Sequence, residues 1–396
     1  MRQMILATVV VLQCVIGSIG TAAEYMTLIK APVGAIGIVP QAISDDGSTV
    51  VGALLYPPSQ PSLGHDPQFE AFRWTRETGV IPLGMLSDNP DSHAFAVSAD
   101  GSVVVGFSGH AFVQSPRQAF RWTEAAGMVG LDQLPGGNSV AVANGVSGDG
   151  TTIVGYSSSS TGVVPVQWLS DQTVIELKGV LGASYLGQAY DVTPDGSVVV
   201  GYGSQAFRWT QETGYVVLPG LAPPLATLPR AEHVSADGTV VIGTEYSGSG
   251  SDPQGFRWSA ADGTIALETS AQFENSFAYG VDHDGSTIVG RVDIGRPEDP
   301  NHDVQAFIWD SANGMRLLKS ALQMDYGLHL DGWRLGFASD ITPDGESIVG
   351  YGTDPSGQEG VWIIRVPEPS GIVLFAISSL IALPCMRRMT RRPCAV

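Results

Sequence analysis

Two short patterns of apolar and polar positions alternate along the chain, and both predict β-strands. The first is Ser/Thr-x-Asp-Gly-Ser/Thr followed by an apolar run that ends in Gly, as in residues 44–52. Such an uninterrupted β-branched run is typical of a strand buried on both faces, and Asp-Gly favours a tight hairpin turn. The second pattern is Ala-Phe-Arg-Trp, in which Phe72 and Trp74 alternate with Arg73. This period of two also predicts a strand, which is followed by a Thr-Glu-x-x-Gly turn and a short apolar run.

Each pattern occurs seven times, and the two alternate strictly. The Asp-Gly turns begin at Asp46, Asp100, Asp149, Asp195, Asp237, Asp284 and Asp344. The second pattern ends at Trp74, Trp122, Trp168, Trp209, Trp258, Trp309 and Trp362. Successive Asp-Gly turns are 54, 49, 46, 42, 47 and 60 residues apart, which is close to the length of a propeller blade, about 40–50 residues. We therefore predict an all-β fold, a seven-bladed β-propeller of four-stranded repeat blades.

The two ends of the repeat region predict how the ring closes. After Trp362 only a few residues precede Pro367, so the seventh unit lacks its fourth strand. The segment Tyr25–Ile29 comes before the first Asp-Gly hairpin and has no preceding segment with which to pair. We predict that this N-terminal strand completes the last blade beside residues 361–364, because pairing there removes an exposed sheet edge.

The N-terminus has the three parts of a secretory signal peptide. Arg2 gives a positive start, residues 4–19 are almost entirely apolar, and Thr21-Ala22-Ala23 supplies small residues before Glu24. We predict a signal peptide over residues 1–23 and a propeller domain over residues 24–366. The alternative is an uncleaved anchor helix.

The C-terminus, residues 367–396, carries a second targeting pattern. Pro367, Glu368 and Pro369 precede an apolar stretch over residues 371–386, and four arginines follow it: Arg387, Arg388, Arg391 and Arg392. As a helix this stretch would span about 24 Å, somewhat short of a hydrocarbon core of about 30 Å, and the arginines would stay on the cytoplasmic side. This order resembles the PEP-CTERM sorting signal. The resemblance implies a transmembrane sorting helix, transient anchoring in the inner membrane and processing near Pro-Glu-Pro by an exosortase, a membrane transpeptidase; a plain single-span anchor is the alternative.

The repeat units resemble the HAF-type extracellular repeats of secreted bacterial proteins. The last unit carries the closest match, with Gly332-Trp333-Arg334-Leu335, then Ile341-Thr342-Pro343-Asp344-Gly345, then Trp362-Ile363-Ile364. The resemblance covers nearly all of the chain after the predicted signal peptide. It implies export and a repeat fold, and it implies no particular activity.

Charge and cysteine content exclude several functional classes. The net charge is −19, and such a chain repels nucleic acid, whose binding depends on phosphate neutralisation by Lys and Arg. The three cysteines, Cys14, Cys385 and Cys394, lie in the predicted leader and tail. The predicted propeller therefore has no disulfide framework, no thiolate zinc site and no cysteine nucleophile.

The remaining polar residues do not form a recognisable catalytic motif, and we predict no catalytic residues. The seven histidines show no His-x-x-x-His pair and no common position in the repeat, so we interpret them as loop or surface residues. We interpret the repeated Asp as a turn former rather than a metal ligand. The recurring arginines are expected to bridge neighbouring blades or to pair with acidic turns: Arg73, Arg121, Arg208 and Arg257. The third unit (Pro165-Val166-Gln167-Trp168) and the sixth (Ile308 in place of Arg) depart from the pattern without breaking the strand.

The loops opposite the Asp-Gly turns carry the length variation and are the better candidates for a binding site. They are residues 53–70, 107–118, 244–254 and 291–305. The last contains the densest group of oxygen ligands, a candidate calcium site for which a plain solvated loop is the alternative: Asp293, Glu298, Asp299, Asn301 and Asp303. Trp333 lies outside the repeat, where packing that helps close the ring competes with a sugar-stacking role.

These observations predict an exported cell-surface or extracellular-matrix protein that is not an enzyme. We expect it to bind a polysaccharide or a protein through its variable loop face and to need no cofactor, calcium excepted. Two alternatives stay open. One is a secreted propeller enzyme such as a polysaccharide lyase or hydrolase, which would need carboxylates, His or Tyr to converge in the central channel or on the variable face. The other is a matrix component without a discrete ligand.

Overall fold

The computed structural model describes residues 25–58, 67–86, 89–110, 116–170, 173–179, 186–221, 227–247, 253–267, 273–295 and 302–367. The predicted signal peptide and all of the sorting tail after Pro367 lie outside these residues. In the described part of the chain, no helix is long and apolar enough to cross a membrane.

Seven four-stranded antiparallel sheets make up the described fold. The first blade comprises β2 (Gly37–Ile43), β3 (Thr49–Tyr56), β4 (Gln68–Thr75) and β5 (Gly79–Pro82). The second comprises β6 (Ser92–Val97), β7 (Val103–Gly109), β8 (Arg117–Thr123) and β9 (Gly127–Gly130). The third comprises β10 (Ala141–Val146), β11 (Ile153–Ser159), β12 (Gly162–Trp168) and β13 (Val174–Glu176).

The remaining blades follow the same order. The fourth comprises β14 (Gly187–Val192), β15 (Val198–Gly203), β16 (Ala206–Thr210) and β17 (Gly214–Val217). The fifth comprises β18 (Thr227–Val234), β19 (Val240–Ser247), β20 (Gln254–Ser259) and β21 (Gly263–Ala266). The sixth comprises β22 (Phe273–Val281), β23 (Thr287–Ile294), β24 (Asp303–Asp310) and β25 (Gly314–Leu317), followed by helix α1 (Leu318–Tyr326). The seventh comprises β26 (Arg334–Ile341), β27 (Ser347–Thr353), β28 (Glu359–Arg365) and β1 (Met26–Ile29).

The first strand of the chain closes the ring, as the sequence predicts. Strand β1 pairs antiparallel with β28, with Met26 opposite Ile364 and Ile29 opposite Val361. Strand β2 of the first blade packs against β26, β27 and β28 of the last. The seven-bladed propeller with four-stranded blades and a closing N-terminal strand is therefore confirmed, and the departures of the third and sixth units leave β12 and β24 intact.

The core lies between the blades and is built from the two repeated patterns. In the second strand of the first blade, Val50 and Val51 are completely buried, and so is Phe72 of the third strand. The repeated arginines lie at the blade boundaries: the Nε of Arg73 donates to the carbonyl of Gly101 at 3.0 Å, and Arg257 donates to the carbonyl of Gly285 at 3.3 Å. The predicted bridging of neighbouring blades is thus confirmed for these arginines.

The repeated Asp forms the hairpin turn by accepting local hydrogen bonds. Asp149 accepts hydrogen bonds from the Ser147 hydroxyl at 2.7 Å and from the Thr151 backbone N–H at 3.0 Å. These bonds hold the pKa of Asp149 below its usual range. The same arrangement recurs at Asp46, Asp100, Asp195, Asp237 and Asp344. The interpretation of these carboxylates as turn formers is confirmed.

Candidate functional site in the central channel

The first strands of the seven blades enclose a central channel. Each contacts the first strands of the two neighbouring blades, in the cyclic order β2, β6, β10, β14, β18, β22 and β26. The cavity between them has a volume of about 470 Å³. Each first strand ends in an Asp-Gly turn, so that end of the channel is called the turn end. The opposite end, where the first strands begin, is called the loop end.

Backbone hydrogen bonds between successive Asp-Gly turns tighten the turn end. The N–H of Asp46 donates to the carbonyl of Ala99 (3.3 Å), Ala99 to Gly148 (3.0 Å), and Gly148 to Pro194 (2.9 Å). Further round the ring, Asp237 donates to His283 (3.0 Å) and His283 to Pro343 (2.9 Å). These bonds link five of the seven blade junctions, and each runs from one blade to the next in the same direction.

Among the described residues, the two junctions without such a bond follow the fourth and seventh blades, where proline occupies the position that donates in the second, third and sixth blades. Pro194 and Pro343 have no backbone N–H and cannot donate. In these same two blades a carboxylate makes the connection instead. Asp191 Oδ2 accepts from the Val234 N–H at 3.0 Å, and Asp340 Oδ2 accepts from the Ile43 N–H at 3.0 Å. The motif Asp-Val/Ile-Thr-Pro-Asp-Gly thus replaces a backbone bond with a side-chain bond.

One histidine lies beside these two carboxylates in the channel. The Nδ1 of His233 is 3.7 Å from Asp191 Oδ2. Burial would lower the pKa of His233, but the neighbouring carboxylate of Asp191, with the charges of Asp340 and Glu232, raises it. Burial raises the pKa of Asp340 to about 7, against the opposing effects of the Ile43 N–H and of His233. His233 lines the cavity, so the accessible 40% of its side chain faces channel water.

A β-bulge interrupts every first strand at the same position. The bulges lie between Pro40 and Ala42, Ala94 and Ala96, Ala143 and Gly145, Ala189 and Asp191, Ala231 and His233, Ala278 and Gly280, and Ala338 and Asp340. A bulge re-aims side chains and increases local twist. The bulged residues differ from blade to blade: Gln41, Phe95, Asn144, Tyr190, Glu232, Tyr279 and Ser339. Six of these seven residues, all except Glu232, line the cavity.

Aromatic residues from five of the seven blades form a partial collar beside the channel toward the loop end, called the aromatic collar; of these, Phe95, Tyr190, Tyr279 and Phe337 line the cavity. We define it as His93, Phe95, Phe107, Tyr190, Tyr202, Tyr246, Phe277, Tyr279, Phe337 and Tyr351. Its rings contact one another within blades: His93 stacks on Phe107 with centroids 5.0 Å apart, and Tyr190 stacks on Tyr202 at 5.5 Å. Burial lowers the pKa of His93 to about 4, so at neutral pH this imidazole is an uncharged ring.

Three arginines lie against the collar. The guanidinium carbon of Arg117 is 5.0 Å from the centre of the Phe107 ring, and that of Arg291 is 4.8 Å from the Phe277 ring. The guanidinium carbon of Arg230 lies 4.7 Å from the ring of Tyr202 and 4.9 Å from that of Tyr246. Cations over aromatic faces are attracted by the ring quadrupole, so these contacts hold each guanidinium in place.

The candidate residues from the last variable loop are held by arginines where the structure describes them. Asp293 is buried and accepts hydrogen bonds from Arg291 Nε at 2.9 Å and Nη2 at 3.2 Å. Asp303 accepts from Arg334, and from the side-chain amide of Gln305 at 2.7 Å. The other three candidates, Glu298, Asp299 and Asn301, lie outside the described residues, so the calcium site stays a prediction. Across the described ranges, no group of three His, Cys, Asp or Glu residues could hold a metal ion.

Trp333 lies in the segment between α1 and β26 and is half-buried against the core of the last blade. Its backbone N–H donates to the Leu330 carbonyl at 3.1 Å, and its own carbonyl accepts from Lys319 Nζ at 2.9 Å. Of the sorting-signal residues only Pro367 is described; Glu368, Pro369 and the four arginines of the tail lie outside the described residues.

The interpretation of the histidines as loop or surface residues is wrong for His93 and His233, because both lie on first strands beside the channel. Sequence reasoning also missed the bulged residues. The sequence did contain a signal for them. An apolar residue precedes each four-residue turn that ends in Asp-Gly, and the residue type two positions before that apolar residue varies among the seven units. In a strict repeat a position that varies in this way indicates side chains that do not pack a common core.

The described fold aligns with several solved structures at low sequence identity. No protein-family model matches the sequence, and no curated protein matches it. A prolyl endopeptidase aligns over 84% of this chain and 48% of its own, with 12% identity and a TM-score of 0.52. TolB from Acinetobacter baumannii aligns over 82% and 65%, with 14% identity and a TM-score of 0.39. The β-propeller domain of the Trilobed protease from Pyrococcus furiosus aligns over 85% and 97%, with 10% identity and a TM-score of 0.49.

The likeness to the prolyl endopeptidase concerns the fold alone, because 12% identity is far below the level at which activity can be transferred. The chain spans about two thirds of the TolB chain and about half of the prolyl endopeptidase. What it binds or does must therefore be argued from its own channel.

Proposed function

We propose that this protein is an exported, non-enzymatic propeller that binds a polysaccharide at the loop end of its channel. The aromatic collar carries the proposal. A concave site lined by apolar and aromatic side chains with a few placed polar groups is the usual form of a ligand site. The rings of Phe95, Tyr190, Tyr279 and Phe337 line this cavity and offer flat faces on which the C–H face of a sugar can stack. The cavity of about 470 Å³ is large enough for one or two sugar units.

Export and sorting belong to the same proposal and rest on the sequence. The signal-peptide pattern over residues 1–23 supports secretion, and the Pro-Glu-Pro tail supports processing by an exosortase-type transpeptidase at the cell envelope. Replacement of Glu368 by Ala should leave the protein in the membrane fraction, whereas the unchanged chain should appear at the cell surface or in the matrix. Equal release of both forms would contradict this sorting step.

A glycan array probed with the purified protein tests the binding role. We expect a subset of glycans to bind, and Phe95→Ala and Tyr279→Ala to reduce that binding by about tenfold or more. Ile81→Ala is the matched control, because Ile81 lies on the outer strand β5 and is 39% exposed. Absence of binding to every glycan, or equal binding by the collar variants, would overturn the proposal; capture of a protein ligand by the collar would also replace it.

An enzyme is the second candidate, and the Asp191–His233 pair favours it. A carboxylate beside a histidine, with Tyr190 and Tyr279 lining the same cavity, is the group of side chains that acid–base cleavage of a polysaccharide needs. A lyase would release an unsaturated uronate product with new ultraviolet absorbance, and a hydrolase would release new reducing ends. Loss of either signal in His233→Gln would establish the enzyme; no product from any glycan that binds would exclude it.

A further inference from the structure

Arg230 differs from the other arginines beside the channel in having unused donors. Arg291 directs two N–H groups to Asp293, and the Nε of Arg117 donates to the carbonyl of His110 at 3.0 Å. Within the described ranges the guanidinium of Arg230 makes no hydrogen bond and no ion pair, and it lies against the rings of Tyr202 and Tyr246. Its guanidinium therefore keeps five N–H donors for a ligand.

The two tyrosines also orient these donors. A guanidinium is planar, and when ring faces lie against that plane its N–H bonds point outward along the plane. Tyr202 is itself stacked on Tyr190, a bulged residue that lines the cavity. Because Arg230 precedes the bulge of β18, it lies toward the loop end, next to Tyr202 and outside the set of residues that line the cavity itself.

Glu232, two residues further along β18, interacts with Arg230 through its charge but does not pair with it directly. Glu232 Oε2 accepts a hydrogen bond from the Thr244 hydroxyl at 2.9 Å, and burial raises the pKa of Glu232, which favours its neutral form. Asp191 and Asp340 use their oxygens for backbone N–H groups in the channel. The guanidinium of Arg230 is therefore available to an anionic ligand, although the chain as a whole carries a net charge of −19.

We propose that Arg230 is the docking point for a carboxylate of the ligand, so that the polysaccharide bound at the loop end contains uronate residues. A carboxylate matches the guanidinium fork and forms two parallel N–H···O bonds, the stronger kind of charge-assisted pair. This inference rests on the proposed binding function. It specifies the charged group of the ligand, which the aromatic collar alone does not specify.

Binding of matched polymers to the purified protein, measured by isothermal titration calorimetry, tests the inference. The probes are polygalacturonate, alginate and hyaluronan, with the methyl ester of polygalacturonate as a neutral match and dextran sulfate as a different anion. We expect at least one uronate polymer to bind and esterification to abolish binding. Arg230→Gln should weaken it by about tenfold or more, and Arg230→Lys, which keeps the charge without the fork, should weaken it by a smaller factor.

Arg76→Gln is the charge-matched control, because Arg76 lies in an exposed turn at the opposite end of the molecule. Near-ultraviolet circular dichroism of each variant would establish that it is folded. Equal binding of the esterified polymer, unchanged binding by Arg230→Gln, or binding of dextran sulfate without any uronate polymer would overturn the carboxylate assignment. If neutral glycans bind and Phe95→Ala abolishes that binding, the proposed binding function holds but the carboxylate assignment fails. If no polymer binds, the binding function and the carboxylate assignment both fail.

Discussion

The two ends of the channel are built from the same seven strands, yet they follow opposite rules. At the turn end every blade has an x-Asp-Gly turn, preceded by Ser or Thr in all blades but the sixth, and backbone hydrogen bonds join successive turns at five of the seven junctions. At the loop end the bulged residues differ in every blade except the two tyrosines, Tyr190 and Tyr279. The turn end repeats the residues that join each blade to the next, whereas the loop end contains the variable side chains that could recognise a ligand.

This difference separates stability from recognition along a single strand. A repeat ring is held together by nearest-neighbour interfaces, so each blade must present the same contacts at one position. At positions where the contacts between blades do not require the same residue in every blade, the sequence can place aromatic, acidic and amide side chains. The fourth and seventh blades show the limit of this freedom, because Pro194 and Pro343 remove a ring bond and Asp191 and Asp340 supply another.

The contrast between the turn end and the loop end depends on a closed ring, so opening the ring is the most severe test. Deletion of residues 24–30 removes β1, with the buried Met26 and Ile29, and exposes the edge of β28. We expect loss of about 5 kcal/mol or more of unfolding free energy, most of what such a domain has. Urea unfolding followed by tryptophan fluorescence measures it. A midpoint equal to that of the intact chain would show that the ring does not depend on this strand.

Glycine replacements test whether contact between turns stabilises the turn end. Gly285 has φ +74°, and a Cβ there would lie 2.5 Å from Val240 of the preceding blade; Gly345 has the same φ and nothing within 4 Å. Gly345→Ala should cost about 1–2 kcal/mol from backbone strain, and Gly285→Ala about 1–3 kcal/mol more from overpacking. Both should bind glycans normally. Equal losses in the two variants, measured by urea unfolding, would mean that the close approach of the blades has no energetic weight.

The pH dependence of stability should distinguish the buried channel groups from the carboxylates of the turns. The pKa of Asp340 in the folded state, about 7, is raised above its ordinary 3.8, so its contribution is full below about pH 4 and is lost as the pH rises through about 7. The raised pKa of His233 acts in the same direction. Asp149 has a lowered pKa, so its contribution is lost in acid. We expect a stability maximum at mildly acidic pH.

Asp340→Asn tests the alkaline limb. The amide carries no charge, so the variant should lose less stability than the parent between pH 5 and 8, by on the order of 1–2 kcal/mol after allowance for channel water. It should also be less stable at pH 5, because the amide nitrogen cannot accept the second backbone N–H. Melting temperatures across this range provide the measurement. Parallel curves for the two proteins would assign the alkaline loss to other groups.

Collar replacements should have the smallest effect on stability. Phe95→Ala should change the unfolding free energy by about 1 kcal/mol or less, because the ring is only half-buried beside the channel. Phe120→Ala is the matched control: this ring is completely buried between blades, and its loss should cost about 3–5 kcal/mol. Urea unfolding of the pair measures the contrast. Similar losses in both variants would mean that the collar is part of the core.

The strands, turns and ring closure could be predicted because each depends on a local pattern that repeats. A Val-Val-Val-Gly run or an Asp-Gly turn specifies its own backbone, and counting the units showed which strand was missing. The channel cluster could not be predicted in this way. Asp191, His233 and Asp340 lie in three different blades, and which side chains face the axis depends on bulges that no local pattern marks.

The sixth blade shows a related limit. Ile308 stands where other blades have Arg, and alone it suggests a lost bridge. In the structure Ile308 lies opposite Arg316, whereas Arg73 lies opposite Ile81 in the first blade. Arg316 pairs with Asp310 at 3.2 Å and with Asp325 at 2.8 Å. The arginine and the aliphatic residue have exchanged strands, which only the pairing register reveals.

The pairing of β1 with β28 has a mechanical consequence. Met26 lies opposite Ile364, so the chain enters β1 and leaves β28 at the same edge of the blade. A force that pulls these two points apart would load the hydrogen-bonded pairs one after another, beginning with Met26 and Ile364, rather than all together in shear. The ring would then open at low tension. A force transmitted from a ligand in the channel to the chain beyond Arg365 would bypass β1, so a protein tethered on that side could bear load with its ring closed.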